Sequence, residues 1–157
     1  MKFRCAAVMA AAVLASPTAL AQDQSADNTA VLLEKVRADK KLLVATNMGM
    51  TESEAAAFWP VYEAYQKELN ALNGRTKTLI ENYADSYNQG AVPDDKAKQL
   101  LDEALAIEGA ELDLRKSYVS KFGKVLPASK VARYYQIENK IRSAVKADLA
   151  EAIPLVQ

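Results

Sequence analysis

The chain contains no histidine, and its one cysteine, Cys5, lies close to its start. Histidine is the commonest general base and, with cysteine, the commonest ligand for zinc, copper and nickel. A serine–histidine or cysteine–histidine mechanism is therefore excluded, and no metal site of the usual kind is expected. Neither sign of charge dominates, with 20 basic residues against 20 acidic ones. A balanced surface argues against nucleic acid as a partner and against an anionic membrane. Glycine and proline are scarce, at five each in 157 residues, and they fall as punctuation between long stretches that have none. Carboxylate pairs remain possible as acid–base groups. Glu52–Glu54, Asp94–Asp95, Asp102–Glu103 and Glu111–Asp113 read as helix caps and solvated faces. A calcium loop would need closely alternating acids around a glycine turn, and none occurs. A glycosidase-like pair need not be adjacent in sequence, but nothing points to one. No catalytic residue, cofactor or metal is expected, and the chain does not read as an enzyme.

What is present begins with a leader. Lys2 and Arg4 precede an apolar run from Cys5 to Ala15, followed by Pro17 and the small-x-small sequence Ala19-Leu20-Ala21. That order is a cleaved secretory signal over residues 1–21, with an apolar core too short to span a bilayer permanently. Cys5 stands ahead of the apolar core, a poor position for a lipidated first residue. The mature chain is expected to start at Gln22 and to reach the periplasm. Cleavage removes the cysteine and two basic residues but no acid, leaving an acidic excess of two and no disulfide. Residues 22–28 read as a flexible polar lead-in, and 29–157 as a single all-helical domain.

Four helices are expected. The first runs from about Asn28 to Thr46 and stops at Asn47 and Gly49, residues that tolerate left-handed geometry. Thr51-Glu52-Ser53-Glu54 has the form of a capping box and opens the second helix. Pro60 should bend that helix rather than end it. Beyond the proline, Tyr62, Tyr65, Leu69, Leu72, Thr76, Leu79, Tyr83 and Tyr87 alternate in steps of three and four, a heptad-like seam. Asn88-Gln89-Gly90 ends it, and Pro93 with Asp94 and Asp95 starts the third helix. The seam of the third is read at Leu101, Leu105, Glu108, Leu112, Arg115, Val119 and Phe122. After Gly123 and Pro127, the fourth runs from about Ala128 to Ile153, with Val131, Tyr134, Ile137, Ile141, Val145 and Leu149 inward. No segment alternates with period two. The fold class is all-α, an elongated four-helix protein built around a long antiparallel hairpin.

A short turn centred near Ala91 sets Gly74 level with Gly109, Arg75 with Glu108, and Glu68 with Arg115 across that hairpin. These charges either fix register on the seam or lie solvated on its flanks. The two mid-helix glycines each cost about 1 kcal/mol against alanine, which close helix approach or a local bend would offset.

The sequence also repeats itself. Met50-Thr-Glu-Ser-Glu-Ala-Ala-Ala-Phe-Trp-Pro-Val61 aligns with Leu126-Pro-Ala-Ser-Lys-Val-Ala-Arg-Tyr-Tyr-Gln-Ile137. Each copy opens a helix and carries an aromatic pair two turns in, Phe58–Trp59 and Tyr134–Tyr135. In this layout the chain resembles the Spy/CpxP-type periplasmic family, marked by a Leu-Thr-x-x-Gln motif. Met50-Thr51-Glu52-Ser53-Glu54 stands where that motif is expected, with Met for Leu and Glu for Gln, and Leu126-Pro127-Ala128-Ser129-Lys130 keeps only the leucine. The resemblance implies an all-helical, often homodimeric protein. It also implies chaperone-like, stress-modulating or metal-sensing work, of which the metal branch depends on histidines this sequence lacks.

All seven tyrosines follow the leader, and tyrosine suits both a thin helical core and an adaptable binding face. Phe58, Trp59, Tyr62, Tyr134 and Tyr135 are the candidate partner-binding residues, with a packed core as their other reading. Two functions stay open at this stage: a chaperone-like or envelope-stress modulator that holds apolar segments of envelope proteins or unfolded clients, and a structural or regulatory subunit that docks on one envelope partner. A homodimer is expected, because long helices in two layers cannot cover all their apolar faces.

Overall fold

Each helix boundary is made by a few residues, and the boundaries decide the architecture. The computed structural model describes residues 38–156, and every regular element among them is an α-helix. The expected leader, the lead-in and the start of the first helix lie outside the described residues. Packing divides the chain between Leu42 and Leu43. Of the first unit, residues 38–42 are described, as one helical stretch; residues 43–156 are the described part of the second unit and contain the buried core.

Helix α1 covers 38–48 in the described residues. It stops at Gly49, whose φ of 56° is the left-handed geometry that glycine adopts without strain. Asn47 does not share in the stop as expected. It lies inside the helix, where its Nδ2 donates to the Leu43 carbonyl at 2.8 Å and satisfies an end group. Helix α2 is Glu52–Asn88, capped by Thr51. The capping box is present: the Thr51 hydroxyl accepts from the Glu54 N–H at 3.2 Å, and the Thr51 N–H donates to the Glu54 carboxylate at 2.7 Å. The helix runs on through Pro60 for 37 residues, about 55 Å. Gly90, at φ 126°, turns the chain into α3, Asp94–Gly123, whose first turn holds Asp94 and Asp95 at the positive end of the helix dipole. Helix α4 is Ala128–Ala152, entered through Pro127.

Helices α2 and α3 form the expected antiparallel hairpin. Phe58 packs on Phe122, Tyr65 on Tyr118, and Arg75 reaches Glu103, so contacts advance along α2 as they retreat along α3. Helix α4 runs parallel to α2, with Lys130 on Glu54, Glu138 on Gln66, and the Pro154 carbonyl on the Tyr83 hydroxyl. It meets α2 through long side chains rather than by close backbone approach. The core gathers where all four helices meet: Val44 and Met48 from α1, Phe58, Tyr62 and Tyr65 from α2, Tyr118 and Phe122 from α3, and Val131, Tyr134 and Ile137 from α4.

The α2 seam is as expected, buried at Tyr62 and Tyr65 and half-buried as far as Tyr87. The α3 seam is not. Leu101, Leu105, Leu112 and Val119 are 58, 58, 45 and 49 % exposed. The covered face instead carries Leu100, Ala104, Ile107, Glu111, Leu114, Tyr118 and Phe122. A ladder of threes and fours can start at either leucine, and one residue of offset rotates a helix face by about 100°. The rings of Tyr118 and Phe122 bury the most surface and choose the register. Val145 of α4, read as inward, is also 52 % exposed.

The cross-hairpin pairs shift as well. Arg75 forms a two-bond fork on Glu103 at 3.1 and 3.2 Å instead of meeting Glu108. Glu108 faces α4 and accepts from Lys146 at 2.9 Å. Glu68 accepts from the Tyr118 hydroxyl, and Arg115 presents its carbonyl to Tyr135. Both failures come from the rotation of α3, which turns Glu108 towards α4 and brings Tyr118 to Glu68. Close helix approach does not explain the glycines either, since a Cβ on Gly74 or Gly109 would meet open space.

Candidate functional site

The two repeated helix starts lie side by side. Their fifth positions, Glu54 and Lys130, form an ion pair, and the Lys130 ammonium also donates to the Gly49 carbonyl at 3.0 Å. Their ninth positions, Phe58 and Tyr134, stack edge-on with ring centroids 5.2 Å apart. One ammonium thus ties α4 to both the end of α1 and the cap of α2. The Lys130 hydrogen bond holds the Glu54 carboxyl below its ordinary range, helped by the Thr51 N–H.

The structure brings all five sequence-predicted residues together. Phe58 touches the rings of Trp59, Tyr62, Phe122 and Tyr134 at 5.1 to 5.7 Å. Tyr134 lies 4.7 Å from Phe122 and 5.7 Å from Tyr135. The spacing and mostly tilted or edge-on geometry are those at which aromatic pairs attract. Three of the five point inward: Phe58, Tyr62 and Tyr134 are buried, while Trp59 and Tyr135 are half-buried at the margin. In this state a partner can reach only the margin rings.

Among the described residues no fully buried side-chain nitrogen or oxygen lacks a hydrogen-bond partner. Tyr134 donates to Glu138 at 3.1 Å and accepts from Gln66 at 3.3 Å, while Gln66 also donates to Glu138 at 3.0 Å. Glu138 is the one buried charged residue described, and these two donors offset its desolvation. Tyr135 donates to the Arg115 carbonyl at 2.7 Å. Burial pushes the ionisation of Tyr62, Tyr65 and Tyr134 well above the tyrosine range, and that of Tyr118 and Tyr135 to about 12. Such phenols stay neutral at any physiological pH and supply neither a nucleophile nor a base. Chemically this cluster is a lock.

Sequence reasoning missed two outward features. One is the stripe of Leu101, Leu105, Leu112 and Val119 along α3, which was visible as a periodicity but assigned to the inside. The other is a groove of about 560 Å³ between α1 and α4, lined by Leu43, Asn47, Arg133, Gln136, Ile137, Lys140, Ile141 and Ala144. Its signal was the pairing of Arg133 and Lys140, two turns apart, around the apolar Ile137 and Ile141. Among the described residues no cluster of acids could hold a metal ion, and no helix is long and apolar enough to cross a membrane. Comparison with known proteins gives no matching family model, curated protein or solved structure.

Proposed function

We propose that this chain is a periplasmic binding protein, chaperone-like or stress-modulating, that holds apolar segments of other envelope proteins. The observation that carries the reading is the outward α3 stripe. Leu101 to Val119 puts four large apolar side chains along about 27 Å of one helix face. Scattered exposed leucines need no explanation, but apolar side chains aligned on one face mark an interaction surface. A helical face of this kind can take the apolar side of an amphipathic helical segment. The leader at residues 1–21 supports export, and the resemblance of the helix-start motifs supports the same class. A second copy on the stripe, giving the expected homodimer, would compete with clients for the same face.

The test is aggregation suppression by the purified mature chain with several unrelated unfolded proteins. A binding protein of this kind suppresses most of them, and changing Leu105 and Leu112 together to serine removes the effect. Suppression of none, with capture of a single envelope component, would instead establish the dedicated subunit.

A further inference from the structure

The groove between α1 and α4 joins an apolar floor to two cations with no carboxylate among its lining residues. Its floor is apolar: Leu43 from α1, with Ile137, Ile141 and Ala144 from α4. Arg133 and Lys140 line the same groove, and no carboxylate does. Several cations elsewhere on the hairpin and on α4 do sit beside acids: Arg75 with Glu103, Lys98 with Asp102, Arg142 with Glu111, and Lys146 with Glu108. Among the described residues neither Arg133 nor Lys140 has an ion-pair partner. Both are exposed, so neither bears a desolvation cost that a structural role would have to offset.

We propose that this groove binds a single-chain anionic amphiphile, a long-chain carboxylate such as a free fatty acid. The chemistry fits part by part. Arg133 and Lys140 are about 10 Å apart along the helix, within reach of one head group between them. An arginine fork suits a carboxylate, and lysine adds a point charge. From a head group midway between Arg133 and Lys140 the floor runs about 11 Å to Ala144, the length of an extended chain of about nine carbons. A volume of about 560 Å³ lies within the range of small-molecule sites. An extended peptide fits less well. The walls are helices whose backbone groups are already paired, so they offer a strand no main-chain partners. A membrane surface fits less well too, because one pair of cations is a small electrostatic footprint. This inference goes beyond the client-binding reading and does not depend on it, since the stripe on α3 is a different surface.

The experiment is calorimetric titration of the full chain with sodium dodecanoate below its micelle concentration, with dodecylammonium and an acidic amphipathic peptide as parallel probes. Saturable binding of one dodecanoate per chain is expected, with no comparable binding of dodecylammonium. Two variants on exposed positions locate it. R133Q with K140Q removes the charges, and A144W fills the floor; each should weaken dodecanoate roughly tenfold or more, while the unfolding midpoint and the suppression of client aggregation stay unchanged. The proposal is overturned by absence of saturable binding, by equal binding of dodecylammonium, or by dodecanoate affinity unchanged in both variants. Binding of the peptide without dodecanoate also overturns it and makes the groove a peptide site.

Discussion

The two ends of the α2–α3 hairpin use similar helices to opposite effect. Where α2 begins, four helices converge, and Phe58, Tyr65, Phe122 and Tyr134 each lie within 6.2 Å of at least three other rings. Where α2 ends, one ring pair, Tyr83 with Tyr87, is half-buried. There Leu101 and Leu105 face outward, and charged side chains pair in the open, as Lys77 does with Glu81 and Lys98 with Asp102. Most of the buried apolar residues gather at the first end, and many of them are rings; a ring can bridge helices that a leucine cannot, and each removes more surface from water. One end therefore holds the fold, and the other leaves apolar surface unspent.

The largest expected effect comes from ionising the aromatic end. Tyr62, Tyr65, Tyr118, Tyr134 and Tyr135 all ionise above the ordinary value of 10.0 in the folded chain. Below that value the phenols are neutral in both states and contribute no pH dependence. Above it the unfolded chain loses protons that the folded chain keeps, so this stability is lost as pH rises through 10 towards the folded values. Tyrosinate absorbance and loss of helical circular dichroism should rise together in one cooperative transition. Full tyrosine ionisation near pH 10 with the helices intact would show that this end is not sealed.

Phe58→Ala is the next largest. Phe58 is fully buried against four rings, and such truncations cost on the order of 3–5 kcal/mol. Urea unfolding should show most of that loss. A loss below about 1 kcal/mol would place it with surface substitutions and break the contrast between the ends.

Much of this fold was legible because short local signals set it. The Thr51–Glu54 box, the glycine stops at 49 and 90, and the prolines at 93 and 127 mark the helix ends by local chemistry, which the sequence states directly. The α2 seam was legible because its tyrosines leave one choice of face. On α3, leucines at both 100 and 101 leave two, and only the rings opposite on α2 and α4 decide between them. The same ambiguity hid the outward stripe. The groove was illegible for another reason: Leu43 and Ile141 are nearly a hundred residues apart, and only tertiary packing brings them to one wall. The aromatic residues could be grouped from the repeat, but their burial required knowing that α1 closes over them with Val44 and Met48.

Smaller effects probe the middle of the hairpin. Gly74 and Gly109 are exposed, and a Cβ at either meets nothing. Neither has a positive φ, so alanine fits the helix without strain. Gly74→Ala and Gly109→Ala should each raise stability by about 0.5–1 kcal/mol by restricting the unfolded chain. A decrease at Gly109 that appears only at high protein concentration would place the helix's close contact between two copies.

The smallest effect on stability belongs to the open face, and it separates the two ends most sharply. Leu105 and Leu112 are 58 and 45 % exposed, so the folded chain gains little by keeping them apolar. Serine has a somewhat lower helix propensity, and the pair together should shift the unfolding free energy by no more than about 1 kcal/mol. Their removal should nonetheless lower self-association, because the surface they contribute is what a second copy would cover. Light scattering at micromolar concentration on the parent and the double variant reads this directly. If the parent is a dimer and the variant a monomer of unchanged stability, the face is an interface. If instead stability falls by several kcal/mol in dilute solution, where copies do not meet, the leucines belong to the monomer's core and the contrast between the two ends is wrong.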